Sequence, residues 1–356
     1  MSTLYLHIGH DKTGTSFLQS AFANSEDIFE RAGIEYPMVE SMRLARQGEV
    51  SEGNGYLLKE LFHSKDVNKH HFYSSEMIFQ HILKETPGKT NGDNYLSQVQ
   101  NLIEGPLFDT TKVLLFIRDP IAHTISHYQQ MVKRGGMNRD VNTYFSFMVK
   151  DGITLPARAR SVIEFFKSLK KCDLTIYNYS KGGNILELTA TWLGLQEAFH
   201  PPENQKVNRS LSEAELRMQI ATNKRFGVVI PSLSDFFVNR FPELNPRKVY
   251  PDLDIQQKLI ERCRADMEWI NQFVSPGNTY HEDLKAPVAY DNPDFLRNRH
   301  YEIIADWFKL ILDQQNLPLK EEYKIQNDKQ ENPSAKSPKK SFLKSLFHNL
   351  KKSYSE

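Results

Sequence analysis

Residues 3–22 read TLYLHIGHDKTGTSFLQSAF, and the fold follows from how that stretch divides. Leu4, Leu6 and Ile8 lie in a short apolar run, long enough for a buried strand. Gly9 to Ser16, GHDKTGTS, is a loop of small residues with one lysine. Phe17, Leu18, Ala21 and Phe22 then fall at helical spacing. Strand, tight loop and helix bring unpaired backbone N–H groups and the positive end of a helix dipole to one point, and that point grips phosphate.

The loop resembles the nucleoside-triphosphate pattern G-x-x-x-x-G-K-[ST] at Gly9, Gly14 and Ser16. Thr15 occupies the lysine slot, and the cation has moved forward to Lys12. In an NTPase that lysine reaches the outer phosphates and the final hydroxyl holds magnesium. A cation placed earlier points to a phosphate that carries something other than a metal-bound phosphoryl chain. For the loop alone, an ordinary strand-to-helix turn with a solvated lysine stays open.

Outward from the loop, residues 26–38 lead to an AGIEYP turn, and 40–68 read as helix with polar interruptions. HHFYSSEMIF (70–79) reads as a second strand that ends near Ser74, Ser75 and Glu76. PGKTNGDN (87–94) is loop, and 95–104 is a short amphipathic helix. KVLLFIRDP (112–120) is a third strand, since Val113 to Ile117 is a continuous apolar run of the kind covered on both faces. Asp119 and Pro120 read as cap and first position of a helix whose buried face is Ile121, Ile125, Tyr128 and Val132. Helices follow over 141–150 and 157–170, CDLTIYNYS (172–180) is a fourth strand, and NILELTATWLGL (184–195) is a helix closed by Gly194. Residues 212–224, 255–274 and 295–316 read as further helices. Strands alternating with helices specify an α/β fold: a central parallel β-sheet flanked by helices, with helical inserts and C-terminal helices. Ligands bind beyond the carboxyl ends of such strands. Loop 9–16, Glu76 and Arg118 all follow strand ends, so the spacing gathers them on one edge.

A chain of 356 residues supports one large domain or two smaller ones. A net charge of +1 makes no electrostatic case for nucleic acid as a partner. The two cysteines, Cys172 and Cys263, cannot build a disulfide framework and fit a reducing compartment as buried, inert thiols. No apolar run has the length of a transmembrane helix. The first strand begins by residue 3, which leaves no room for a signal peptide, so a cytoplasmic protein is expected.

Arg118 offers a planar fork of donors suited to a phosphate or carboxylate, and Ser126, eight residues on, adds a hydroxyl. Pairing with Asp119 or another acid to pin the loop is the alternative for Arg118. Together, HDKTGTS after a first strand and RDPIAHTISHY after a later one resemble the two nucleotide-binding signatures of the sulfotransferases that use 3′-phosphoadenosine 5′-phosphosulfate (PAPS). The resemblance implies a P-loop-like three-layer fold and a catalytic domain over 1–325, with a nucleotide-binding core at 1–210 and a helical part at 211–325. It places Lys12 on the phosphosulfate, and Thr13, Gly14, Thr15 and Ser16 on the 5′-phosphate. It sets Phe17 against adenine, Tyr177 near the purine, and Arg118 and Ser126 on the 3′-phosphate. KVNRSLS (206–212) is similar to a segment that closes over the nucleotide in bacterial members, which adds Asn208, Arg209 and Ser210. The basic R-K-G segment of eukaryotic cytosolic members is missing, so a third 3′-phosphate contact is unassigned. The donor implied is PAPS and the product adenosine 3′,5′-bisphosphate (PAP), with no metal.

Sulfuryl transfer is an in-line displacement on sulfur by a hydroxyl or amine. Lys12 is the group for charge on the leaving oxygen. Glu76 is the first candidate for the base, as in members acting on glycans, and His10 the second. Glu76 as a helix cap or salt-bridge partner, and His10 as a loop residue bonded to backbone, are the alternatives. The implied acceptor is a glycan or glycolipid, a carbohydrate or lipid-linked partner. Two other functions stay open: a P-loop nucleotide kinase or NTPase, and a non-catalytic nucleotide-binding or membrane-adaptor protein.

Residues 326–340 are polar and proline-containing and read as a linker. Over 341–353, Phe342, Leu343, Leu346, Phe347 and Leu350 fall on one helical face, and 336–352 hold six lysines and no acid. A basic amphipathic helix of this kind lies in an anionic membrane surface, here the inner face of a membrane, as a peripheral anchor. Docking of the tail on the protein, or no structure at all, is the alternative.

Overall fold

The computed structural model describes residues 1–38, 46, 53–64, 67, 69–84, 95–202, 209–226, 231–241, 246, 248–287, 303–304 and 306–307. Two compact units divide the chain, Met1–Phe295 and Leu296–Glu356. All of the architecture that follows belongs to the first. The expected helix at 295–316, the linker at 326–340, the tail helix at 341–353 and Asn208 lie wholly or mostly outside the described residues.

Five strands form one sheet: β1 (Thr3–Ile8), β2 (Ile34–Glu35), β3 (His70–Ser75), β4 (Thr110–Ile117) and β5 (Cys172–Asn178). Their order is β2-β3-β1-β4-β5, and every pairing is parallel. The sequence reading has four strands; the fifth, β2, is a two-residue edge strand inside the AGIEYP turn. β1 is central, with both neighbours paired along its length, which explains why its six residues are all buried.

The helices are α1 (Thr15–Asn24), α2 (Glu26–Arg31), α3 (Leu58–Leu61), α4 (Glu76–Lys84), α5 (Tyr95–Glu104) and α6 (Pro120–Arg134). They continue with α7 (Val141–Lys150), α8 (Leu155–Lys167), α9 (Ile185–Leu193), α10 (Glu213–Phe226), α11 (Pro231–Arg240) and α12 (Leu253–Asn271). Alternate positions on the strands split the core between two faces. Tyr5, Phe72, Leu114 and Phe116 pack with Phe22, Phe29, Trp192 and Phe199 in an aromatic layer under α1, α2 and α9. α4 packs on β1, α8 on β5, and the two helices pack on each other. The sheet therefore carries helices on both faces.

All the strands run parallel, so their carboxyl ends lie on one edge: Ile8 is level with Ser75, Ile117 with Asn178, and the second pair lies two residues further out because Ile8 pairs with Leu115. The next residues, Gly9, Glu76, Arg118 and Tyr179, therefore share one edge. The strand read in 70–79 ends at Ser75, as expected, because Glu76 starts α4 and turns Ile78 and Phe79 into a helix face. Asp119 stands at the cap of α6, yet its carboxylate does not cap the helix. Its Oδ1 accepts instead from Asn178 Nδ2 at 2.7 Å and from the His281 amide at 3.1 Å, tying β4 to β5 and to the 280s loop.

Candidate active site

The Gly9–Ser16 loop is shaped by close contact and backbone conformation. A Cβ on Gly9 would lie 2.7 Å from Thr15 Oγ1 and 2.8 Å from Glu76 Cγ, so only glycine lets Glu76 approach. Gly14 takes φ 90° and faces Ile185 and Tyr179, where a Cβ has no room. Lys12 has φ 67°, a left-handed conformation that costs a side-chain-bearing residue energy. The Thr13 hydroxyl donates to the His10 carbonyl at 2.6 Å and closes the turn from within. Thr15 opens α1, and its Oγ1 is buried beside the Glu76 carboxyl. A hydroxyl at a helix N-terminus, in a cradle that excludes a Cβ, fits a phosphate oxygen.

The second corner meets the first. Arg118 Nη1 donates to the Lys12 carbonyl at 2.8 Å, and the guanidinium lies 5.3 Å from the Tyr179 ring centroid. The loop-pinning alternative for Arg118 is thus realised through a backbone oxygen rather than an acid. The rest of its fork borders a cavity of about 290 Å³ lined by Arg118, Asp119, Tyr179, Lys248, Tyr250 and Lys285, among others. Asp119 is engaged with Asn178 and His281, and Lys285 Nζ pairs with Asp283 at 2.6 Å. Burial lowers the pKa of Lys248, and the like charges of Arg118 and Lys285 lower it further. Three cations against two carboxylates that are already engaged give this cavity a net positive lining, which suits an anion. Ser126 is half-buried one helical turn beyond Ala122, which also lines this cavity.

Glu76 opens α4 and is half-buried beside the loop. Burial raises its pKa to about 7, the Asp11 carboxylate adds to the rise, and Lys12 opposes it. Burial lowers the Lys12 pKa, Glu76 and Asp11 counter, and Arg134 and Arg118 reinforce the lowering. Lys12 therefore stands between the carboxyls of the loop edge and the cations of α6.

His10 takes a different place from the one expected. Its ring stacks on Phe79, with centroids 4.4 Å apart, and meets His123 edge-on at 4.3 Å. Neither ring nitrogen has a hydrogen-bond partner, so the backbone-bonded alternative does not hold either. Burial pushes its pKa down to about 3, which keeps the ring neutral. His123 is buried beneath the loop, with Nε2 at 2.6 Å from the Asp11 carbonyl, and His127 Nδ1 lies 2.6 Å from the Tyr144 hydroxyl. Phe17 and Tyr177 are half-buried and pack against the same aromatic layer.

Arg209 does not join this group. Its guanidinium is buried in a double ion pair with Glu215 at 2.9 Å and donates to the carbonyls of Ser210, Phe237 and Phe241. It clips α10 to α11, and the Ser210 carbonyl is one of its acceptors. Sequence reasoning missed Asp11, Gln80, Lys248, Tyr250 and Lys285. Two signals were present: an acid inside a loop read as a phosphate grip, and the basic pair in PRKVY at 246–250.

Neither a scan against protein-family models nor a search of curated proteins finds a match to this chain.

Proposed function

We propose that this protein is a PAPS-dependent sulfotransferase that transfers a sulfuryl group to a hydroxyl or amine of a glycan or glycolipid. The carrying observation is the junction at Arg118, which bonds to the Lys12 carbonyl and borders the cationic cavity. A ligand spanning that junction needs two anionic groups, one for each corner. An adenosine with phosphates on both 5′ and 3′ oxygens has them. The sheet order with β1 central, and a glycine loop directly after β1, support a P-loop-like fold.

On this reading Thr13, Gly14, Thr15 and Ser16 hold the 5′-phosphate through loop amides and hydroxyls. Arg118 and Ser126 hold the 3′-phosphate, with Lys248 across the cavity as the third contact. Phe17 and Tyr177 belong to the purine side. The donor supplies an activated sulfuryl group. Lys12 Nζ stabilises charge on the oxygen that leaves, and Glu76 takes the proton of the acceptor. His10 stays neutral and supports the loop. The basic tail, residues 341–353, anchors the enzyme to an anionic surface of the cytoplasmic face, near a lipid-linked acceptor.

Thermal shift tests the reading. PAP raises the melting temperature more than ATP with magnesium does, and Arg118→Ala removes that preference. A larger shift with ATP and magnesium, insensitive to Arg118→Ala, marks a nucleotide kinase or NTPase instead. PAP binding with no transfer to any acceptor, and no effect of Glu76→Gln on transfer, marks a non-catalytic binder.

A further inference from the structure

Asp11 lies in the middle of a loop read as gripping an anion, where an acid has an electrostatic cost. Its carboxylate is held in place. Gln80 Nε2 donates to Oδ1 at 3.3 Å and to Oδ2 at 3.1 Å. Gln80 lies one turn after Glu76 on α4, so one face of that helix presents an amide and a carboxyl to the same acid. Protonated Glu76 is placed to donate to the Asp11 carboxylate. Gly9, which has no Cβ, leaves the space in which Glu76 settles. Two carboxyls in one poorly hydrated place do not both ionise freely.

The other elements around Glu76 bring few competing charges. Lys12 faces both carboxyls from the loop. From α8, which packs on α4, Arg158 acts on His10 and His127. From α5, Tyr95 meets His81 further along α4. β1 and its loop bring neutral His10 against Phe79.

Resting on the sulfuryl-transfer reading, we propose that Asp11 and Glu76 work as a carboxyl pair in which the charge of Asp11 acts on the proton of Glu76. Glu76 is the catalytic base, and Asp11 is the positioning residue that keeps it basic. In the transfer step the acceptor oxygen bonds to sulfur as its proton passes to a Glu76 oxygen. The bond from sulfur to the 5′-phosphate oxygen breaks, and its electron pair leaves with PAP. Without the Asp11 charge, Glu76 becomes a weaker base that ionises earlier.

Two measurements on the full chain test this. One is the pH profile of kcat/KM for transfer to a panel of mono- and disaccharides. The other is an infrared titration of the protonated-carboxyl stretch, which needs no acceptor. In the wild-type protein the activity limb and a carboxyl band both titrate near pH 7, and Glu76→Gln removes the band. Asp11→Asn moves limb and band to lower pH by about one pH unit or more, and Asp11→Glu, which keeps the charge, restores them. A limb and band unmoved by Asp11→Asn overturn the pair. A band that moves while no saccharide is sulfated upholds the pair and counts against the transfer reading. Transfer with an unmoved limb does the reverse. If Asp11→Asn fails to fold, Asp11→Ser, which also removes the charge, is read the same way.

Discussion

At Lys12 the backbone is held at φ 67°, where a Cβ meets its own carbonyl and glycine does not. Lys12→Gly and Lys12→Ala both remove the amine, so their difference reports backbone strain alone. Lys12→Gly is the more stable of the two by about 1 kcal/mol in urea denaturation. Glu76 carries the pH dependence. The folded chain keeps its proton up to about pH 7, and an unfolded glutamate releases it near 4.5. Between those values the folded state binds more protons, so the stability Glu76 contributes at low pH is lost as pH rises. Glu76→Gln removes that slope: its melting temperature gains on the wild type from pH 4.5 to 8, read by calorimetry. At this scale the strand-to-helix loop itself was legible, because Gly9, Gly14 and the apolar runs on either side mark its ends. Arg209 was misleading, because a buried arginine and a ligand-facing one are spelled alike.

Among the elements, α6 does the most positioning. It begins at Pro120, directly after the residue pair Arg118–Asp119, and its His123 lies against the Asp11 carbonyl beneath the loop. Its buried face of Ile121, Ile125, Tyr128 and Val132 agrees with the spacing in the sequence. The helices at 95–104 and 141–150 also have the expected bounds, since their amphipathic pattern is strong and their ends are marked. α11 was not foreseen; it is joined to α10 by the Arg209–Glu215 pair, a tertiary contact. Arg209→Met leaves Glu215 charged and buried, and lowers stability by about 3–5 kcal/mol in urea titration. The same variant retains its PAP-induced thermal shift, because the clip lies outside the proposed nucleotide site. Gly14→Ala strains the entry to α1 and clashes with Ile185 and Tyr179, so it loses the PAP shift and about 1–2 kcal/mol of stability.

For the whole molecule, the first unit alone contains the loop, Glu76, Arg118 and the cationic cavity. Deleting residues 326–356 therefore leaves the PAP-induced thermal shift intact and removes binding to anionic vesicles, measured by co-sedimentation. Among the described residues no helix is long and apolar enough to cross a membrane. The sequence by itself determined the α/β class, the parallel sheet and the edge where its chemistry gathers. Those follow from local periodicity and from what each strand runs into, which the chain writes next to itself. Only the tertiary structure decided that Arg118 meets the Lys12 carbonyl, that Lys248 and Lys285 close a cavity around it, and that Gln80 holds Asp11 beside Glu76. Those contacts join residues up to about 170 positions apart. They exist because burial and strand register, which no local pattern encodes, bring distant loops to one rim and leave their charges to find partners there.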